Sequence, residues 1–305
     1  MQSLNKDTKL VLDLVDGYLA ENPSLLKDYL RQLSRVGGLE FLKRPIRFSK
    51  SLTRLCEDSD LIIVASQEQA EVARTLNPSV IPIWDCHDEL GEPRYPSPLH
   101  KESKFEIFWE GLSVTLFHFQ ECLPDLKDFL LETNSTLNIV SNSNHFRFSN
   151  RFLRVSTEKY LGEIFRDLEN HIQFHEWSVT KVREVASRCD FGLIPLLERD
   201  KFARLKPENK LMIYWRLGLP TLFSDLPSYL RVAHKLGLSD FSVAGGRWKE
   251  RLLWLSKDLV NLGGRISTAT DMLVEHHNEQ AILAQWRRAF QGLTGYGPTD
   301  ASRSF

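Results

Sequence analysis

The sequence predicts an α/β protein of the doubly wound class, with parallel sheets covered on both faces. Short apolar runs of strand length alternate with amphipathic stretches of helix length, and the runs are continuously apolar, as in strands buried on both sides. Residues that cap or stop helices punctuate the junctions, and neither a fixed-period repeat nor a low-complexity segment interrupts the pattern.

Lys9–Leu14 is the first strand candidate, followed by a helical stretch with Tyr18, Leu25, Leu26, Tyr29, Leu30 and Leu33. Leu61–Ala65 is the next apolar run. Ser66 follows it as an N-cap for a helix over Gln67–Leu76, because a serine hydroxyl can accept from the free N–H groups of a first turn. Val80–Trp84, Phe105–Trp109, Leu137–Val140, His171–His175, Phe191–Pro195, Pro220–Phe223 and Phe241–Val243 continue the series. Arg251 to Phe290 reads as two or three helices, with Leu252, Leu255, Leu259 and Leu262 on one face and Ile282, Leu283, Trp286 and Phe290 on another. Gly292 to Phe305 reads as a loose tail. The segment from Gly91 to Pro98 holds three prolines and a glycine, which favours extended chain, so a domain boundary is expected near residue 99.

The chain has 305 residues, 42% hydrophobic and 26% charged, the composition of an ordinary globular protein with room for two domains. Its formal net charge of −1 gives no general attraction to nucleic acid or acidic lipid, so such a partner would need a local patch. Cys56, Cys86, Cys122 and Cys189 form no C-x-x-C pair and read as reduced, mostly buried thiols, which fits a cytoplasmic location. Lys6, Asp7, Lys9, Asp13 and Asp16 break what would be the apolar core of a signal peptide, and no apolar run is long enough to span a bilayer.

The chemistry concentrates after the strand Phe191–Pro195. Lys206-Pro207-Glu208-Asn209-Lys210 opens an apolar helix, Leu211 to Leu217, which Gly218 and Pro220 stop. The next strand leads into Ser224-Asp225-Leu226-Pro227-Ser228-Tyr229. A helix N-terminus offers free N–H groups and partial positive charge, so it suits a phosphate, and Lys206 and Lys210 add full charge on either side. Asn209 can cap the helix or donate its amide to a phosphate oxygen. Neither G-x-x-x-x-G-K-[ST] nor G-x-G-x-x-G occurs, so this is a diphosphate site without those loops. A basic, solvated first turn is the plain alternative.

Taken in order, Asp190–Leu196, Lys206–Leu211 and Leu217–Tyr229 resemble the donor domain of the group-one, GT-B-fold glycosyltransferases. Trp109-Glu110-Gly111, Leu61–Ser66, Val80–Trp84 and Val11–Asp16 resemble other elements of that family in the same order. The resemblance implies two Rossmann-like domains of the GT-B type, the N-terminal one incomplete. Residues 1–98 would form a shortened acceptor-side domain, 99–265 the donor domain, and 266–305 C-terminal helices and a tail. It implies a glycosyltransferase that uses a nucleotide-diphosphate sugar, with no cofactor and no metal. Lys206, Asn209, Lys210 and Gly111 would lie at the diphosphate, with Asp225 at the end of the following strand. Glu176 and Trp177 would face the base, Trp177 either as a stacking platform or as an ordinary core or surface tryptophan. The acceptor would be a glycan, a lipid-linked group or a small molecule.

Two positions depart from the family. Ile213 stands where the retaining branch has a glutamate that bonds the ribose, and no arginine and lysine follow Phe105–Trp109. A non-catalytic binding or assembly subunit, with a partner chain, is therefore the rival reading, and a sugar-nucleotide epimerase is a third. Candidate catalytic groups are His87 with Asp88, Asp16 at the end of the first strand region, and His118. His87 beside two acids reads as a base with its orienting partner, as a metal ligand, or as a solvated side chain. Arg44, Arg47 and Arg54 recur at helical spacing. They read either as a solvated face or as a peripheral contact with the inner face of a membrane.

Overall fold

The computed structural model describes residues 8–19, 48–96, 104–148 and 152–294. The chain divides into two compact units, residues 1–86 with 205–207 and 276–305, and residues 87–204 with 208–275.

The first unit is built on a parallel sheet of β1 (Val11–Leu14), β2 (Leu61–Val64) and β3 (Val80–Pro82), in that order. All four residues of β2 are buried, because both faces of the sheet are covered. Ile62 and Val64 pack with Leu14 of β1 and, on one side, with Cys56, Ala70 and Ala73 of the helices Phe48–Asp58 and Gln67–Arg74. Leu61 and Ile63 pack with Ile83, Ile282 and Ala289 on the other. The C-terminal helix Glu279–Thr294 therefore supplies the second cover of this sheet. Ser66 caps as expected, accepting the Gln69 N–H at 3.1 Å, while Gln69 Oε1 accepts from Ala65 N–H at 2.9 Å.

The second unit holds a six-stranded, wholly parallel sheet in the order β11-β10-β9-β4-β5-β8. Its strands are β4 (Glu106–Glu110), β5 (Thr136–Ser141), β8 (Ile172–Glu176), β9 (Phe191–Ile194), β10 (Thr221–Ser224) and β11 (Ser242–Val243). A separate antiparallel hairpin, β6 (Asn144–Phe148) and β7 (Phe152–Ser156), is inserted after β5. The chain runs outward from β4 to β8, returns to β9, and then runs outward the other way. This is the order of dinucleotide-binding sheets, and its reversal lies between β4 and β9. All nine apolar runs of the sequence contribute a strand. The hairpin is absent from that series because its residues alternate in polarity instead of forming a continuous apolar run.

The helix Asn209–Arg216 runs back from the carboxyl edge of this sheet and buries Leu211, Met212, Tyr214, Trp215 and Arg216. The Cδ2–Cε2 edge of the Tyr214 ring meets β9 at Gly192, where any side chain would collide with it. Its Oη accepts the Glu110 N–H at 2.7 Å, at the end of β4. The region after β11 forms three helices, Trp248–Lys257, Leu259–Arg265 and Ser267–His276, so four helices in all follow Arg247, against the two or three expected.

The expected joint at residues 91–98 belongs, over its described part, to the second unit, and the chain leaves the first unit already after Cys86. The reason is a set of bonds that sequence spacing does not reveal. Arg94 N–H donates to Arg216 O at 2.9 Å, Asp88 pairs with Arg216 at 2.9 Å, and Tyr95 donates to Asp271 at 2.7 Å. The C-terminal helices are divided in the same way, with Glu279–Thr294 in the first unit and the three before it in the second. Among the described residues, no helix is long and apolar enough to cross a membrane.

Gly192→Ala places a Cβ 2.8 Å from Tyr214 Cε2. The expected cost is about 1–3 kcal/mol, from forcing the ring off its place. Denaturant unfolding measures it, and an unchanged midpoint would show that the Tyr214 ring does not depend on the glycine.

Candidate functional site

In an open parallel sheet the ligand edge is the carboxyl edge at the point where strand order reverses. Here that point gathers the ends of β4 and β9 and the start of the helix Asn209–Arg216. Lys210, in the first turn of that helix, extends over the indole of Trp109, with Nζ 4.7 Å from the ring centroid. A Cβ on Gly111 would stand 2.6 Å from Lys210 Nζ, so only glycine lets the ammonium reach this place. Ser141 Oγ donates to Gly111 O at 2.7 Å, and Gly111 N–H donates to Val140 O at 3.2 Å. The ammonium, the helix N–H groups and the backbone at Gly111 thus meet at one pole.

The loops around this pole are tied to one another. Leu196 N–H donates to Ser224 Oγ at 2.8 Å, and Leu197 N–H donates to His118 Nδ1 at 3.2 Å. The loop after β9 is therefore suspended between the ends of β10 and the segment after β4. Ser113 N–H donates to Asn142 Oδ1 at 2.9 Å, and Ser113 Oγ bonds His145 Nδ1 at 2.9 Å, which ties the same segment to β6. Trp177 is half-exposed, and its Nε1 donates to Glu110 Oε1 at 3.1 Å. The bond between the two side chains thereby links the end of β8 to the end of β4 across β5.

Tyr214 is wholly buried, and burial, then the nearby Glu110 charge, pushes its hydroxyl well above the ordinary tyrosine range. It stays a neutral phenol whose oxygen accepts the Glu110 N–H. Glu198, on the loop after β9, is pushed up by burial, then by Asp225 and Glu121, against the opposing effect of the Asp225 and Gly245 N–H groups.

The structure brings together at this edge Gly111, Asn209, Lys210, Trp177, Glu176 and Asp225. Asn209 is the first helical residue and Glu208 the N-cap, without a side-chain capping bond. Glu208 is buried and pairs with Arg231 at 2.9 Å. Glu176 is exposed at the end of β8 and accepts from Ser143 Oγ. Lys206 precedes the helix, in a segment that groups with the first unit.

His118 is at the same edge but only 3% exposed, with Nδ1 occupied by Leu197 N–H, so its placement is that of a loop anchor. His87 and Asp88 are at the opposite edge of the second unit's sheet. Asp88 pairs with Arg216 at the far end of the helix, beside Gly218 and Pro220, which lead into the start of β10. His87 Nδ1 is 3.5 Å from Glu89. Asp16 follows β1 in the first unit, where it accepts the Gly17 N–H at 2.8 Å. Arg54 is exposed on the helix Phe48–Asp58, whereas Arg44 and Arg47 lie outside the described residues. Tyr214, Gly192 and Ser224 were missed as determinants of this site. Gly192 inside a strand was the available signal, because it marks close approach of another group.

No family model matches the sequence, and no curated protein matches it by sequence. Solved structures match by shape. HepE of Anabaena, in complex with UDP and glucose, has a TM-score of 0.56 at 14% identity, over 94% of this chain and 72% of HepE. A glycosyltransferase from Rickettsia africae has a TM-score of 0.59 at 9% identity, over 80% of this chain and 67% of that one. TarM of S. aureus, with UDP bound, has a TM-score of 0.54 at 12% identity, over 79% of this chain. The fold is that of the GT-B glycosyltransferases. The chain spans less than half of TarM, 46% of its length. GT-B architecture accounts for the strand order and for its reversal between β4 and β9.

Two outcomes follow. Tyr214→Phe keeps the ring but leaves the Glu110 N–H without its acceptor, at an expected cost of about 1–3 kcal/mol. Hydrogen exchange at the Glu110 amide should lose its protection, and retained protection would remove Tyr214 from that role. For Glu198 the folded pKa is raised above the ordinary 4.5. Its stabilising contribution is fully present below 4.5 and is lost as pH rises through the folded value. Glu198→Gln should flatten stability against pH just above 4.5, and an unchanged slope would overturn that assignment.

Proposed function

We propose that this chain is a glycosyltransferase whose second unit binds a nucleotide-diphosphate sugar and releases the sugar to an acceptor. The observation that carries the reading is the pole at the strand reversal, where Lys210, the N–H groups of the helix Asn209–Arg216 and the Gly111 backbone converge. Breaking the bond between sugar and diphosphate leaves negative charge on the diphosphate oxygens. Fixed N–H dipoles and an ammonium held over an indole stabilise that charge without reorganising, because they already point where it develops. Asn209 adds an amide at the first turn.

The base of the nucleotide lies on Trp177, whose exposed ring is held rigidly by its bond to Glu110. Glu176 at the end of β8 faces the same end of the nucleotide. Asp225, at the end of β10, lies toward the sugar. HepE and TarM were both solved with UDP, which makes uridine the first nucleotide to test. Ile213 does not offer the ribose a hydrogen bond, so the ribose is held by other groups than in the retaining branch.

Isothermal titration with UDP-, GDP- and dTDP-sugars tests the reading, and a folded sample that binds none of them would sink it. Lys210→Ala should weaken binding of the bound nucleotide sugar by roughly tenfold or more, as expected for a lost charge-assisted contact. Trp177→Ala should weaken it by a similar factor through lost stacking. Unchanged affinity in either variant would remove that residue from the site.

A further inference from the structure

The segment that leaves the proposed donor pole after Gly111 buries its residues in an inverted pattern. Ser113–Glu121 is a helix of the 3-10 type, with three residues per turn, so residues three apart stack in columns. Ser113, Leu116 and Phe119 form the inner column and are wholly buried. Val114, Phe117 and Gln120 form the outer column and are exposed. Leu112, at the entry to the helix, is 64% exposed, and Val114 and Phe117 are 38% and 40% exposed. The outward side is therefore apolar in the turns next to Gly111, and polarity returns only at Gln120, at the far end.

The polar groups of those same turns are committed to internal bonds. Ser113 N–H donates to Asn142 Oδ1 at 2.9 Å, and Ser113 Oγ bonds His145 Nδ1. Thr115 Oγ1 donates to Leu112 O at 2.7 Å, and His118 Nδ1 accepts the Leu197 N–H. A glycan set against this face would meet hydrocarbon, and its hydroxyls would lose water without gaining a partner. A hydrocarbon chain gains burial there, as do the three exposed side chains. The face is about 10 Å long from Leu112 to Phe117, at about 2 Å per residue. It starts at the residue after Gly111, whose backbone forms part of the pole, so a chain lying on it reaches the group bound there.

We propose that Leu112, Val114 and Phe117 hold the hydrocarbon part of the acceptor, so that the acceptor is an alkyl-bearing molecule and not a free glycan. The proposal rests on the reading of the pole as the donor site.

Isothermal titration of the full chain with decyl β-D-glucoside, kept below its micellar concentration, against methyl β-D-glucoside tests it. The decyl compound should bind at least about tenfold more tightly, the gain expected from about two buried CH2 groups. Leu112→Ser with Phe117→Ser should remove that gain and leave the unfolding midpoint and the nucleotide-sugar affinity unchanged. Should the Phe117 change lower the midpoint, Leu112→Ser with Val114→Asn carries the same test. No gain from the chain, or an undiminished gain in the variants, would overturn the proposal. So would pelleting with phosphatidylcholine vesicles, or a dimer in light scattering, that the same variants abolish, because the face would then belong to a bilayer or to a second copy of the chain. The glycoside titration contains no nucleotide, so its failure is distinct from a failure to bind nucleotide sugars.

Discussion

The contact of Tyr214 with Gly192 and Glu110 is the constraint on which the carboxyl edge at β4 and β9 depends. A helix can present its N-terminus to a ligand only if its axis is fixed against the sheet. Tyr214 fixes it twice, by setting an edge of its ring against the bare backbone of β9 at Gly192 and by accepting the last N–H of β4. Those are the two strands that flank the reversal of strand order. The same contact therefore positions Lys210 one helical turn away, over Trp109 and against Gly111. A phenol buried this completely stays neutral, so the anchor does not titrate near neutral pH.

From that anchor the helix works in two directions. Its start faces the ligand edge. Its end holds Arg216, whose buried guanidinium binds Asp88 and donates to Gly91 O at 2.8 Å. Arg216 thereby fastens the segment entering the second unit. A buried guanidinium is stable only with its bonds made, so the strap and the helix end stabilise each other. This explains why an acid that follows a strand candidate in sequence serves packing in the fold. The proline-rich segment likewise runs on along the second unit instead of spanning a gap. The loops at the ligand edge are linked in the same manner, with Ser224 and His118 both holding the chain after β9.

Much of the architecture was legible because burial on both faces leaves a simple trace. Each continuous apolar run became a strand, and the serine cap before Gln67 formed as written. The helix start was legible too, and the helix Asn209–Arg216 begins there, between β9 and β10. The hairpin was not, because its residues do not form one continuous apolar run. Nor was the placement of His87, His118 and Asp16. Position after a strand suggests a ligand edge, but whether a side chain reaches it depends on what else bonds that side chain.

The sequence by itself determined the α/β class, the strand and helix order, and the residues at the start of the helix Asn209–Arg216. These follow from local periodicity and from the chemistry of single elements. Only the tertiary structure decided that β4 and β9 are neighbours, that Glu279–Thr294 returns to cover the first sheet, and that Trp177 reaches Glu110. It alone separated the ends of one helix into a start where Lys210 lies over Trp109 and a strap at Arg216. Those outcomes depend on contacts between residues far apart in the chain, and a linear pattern contains no term for them.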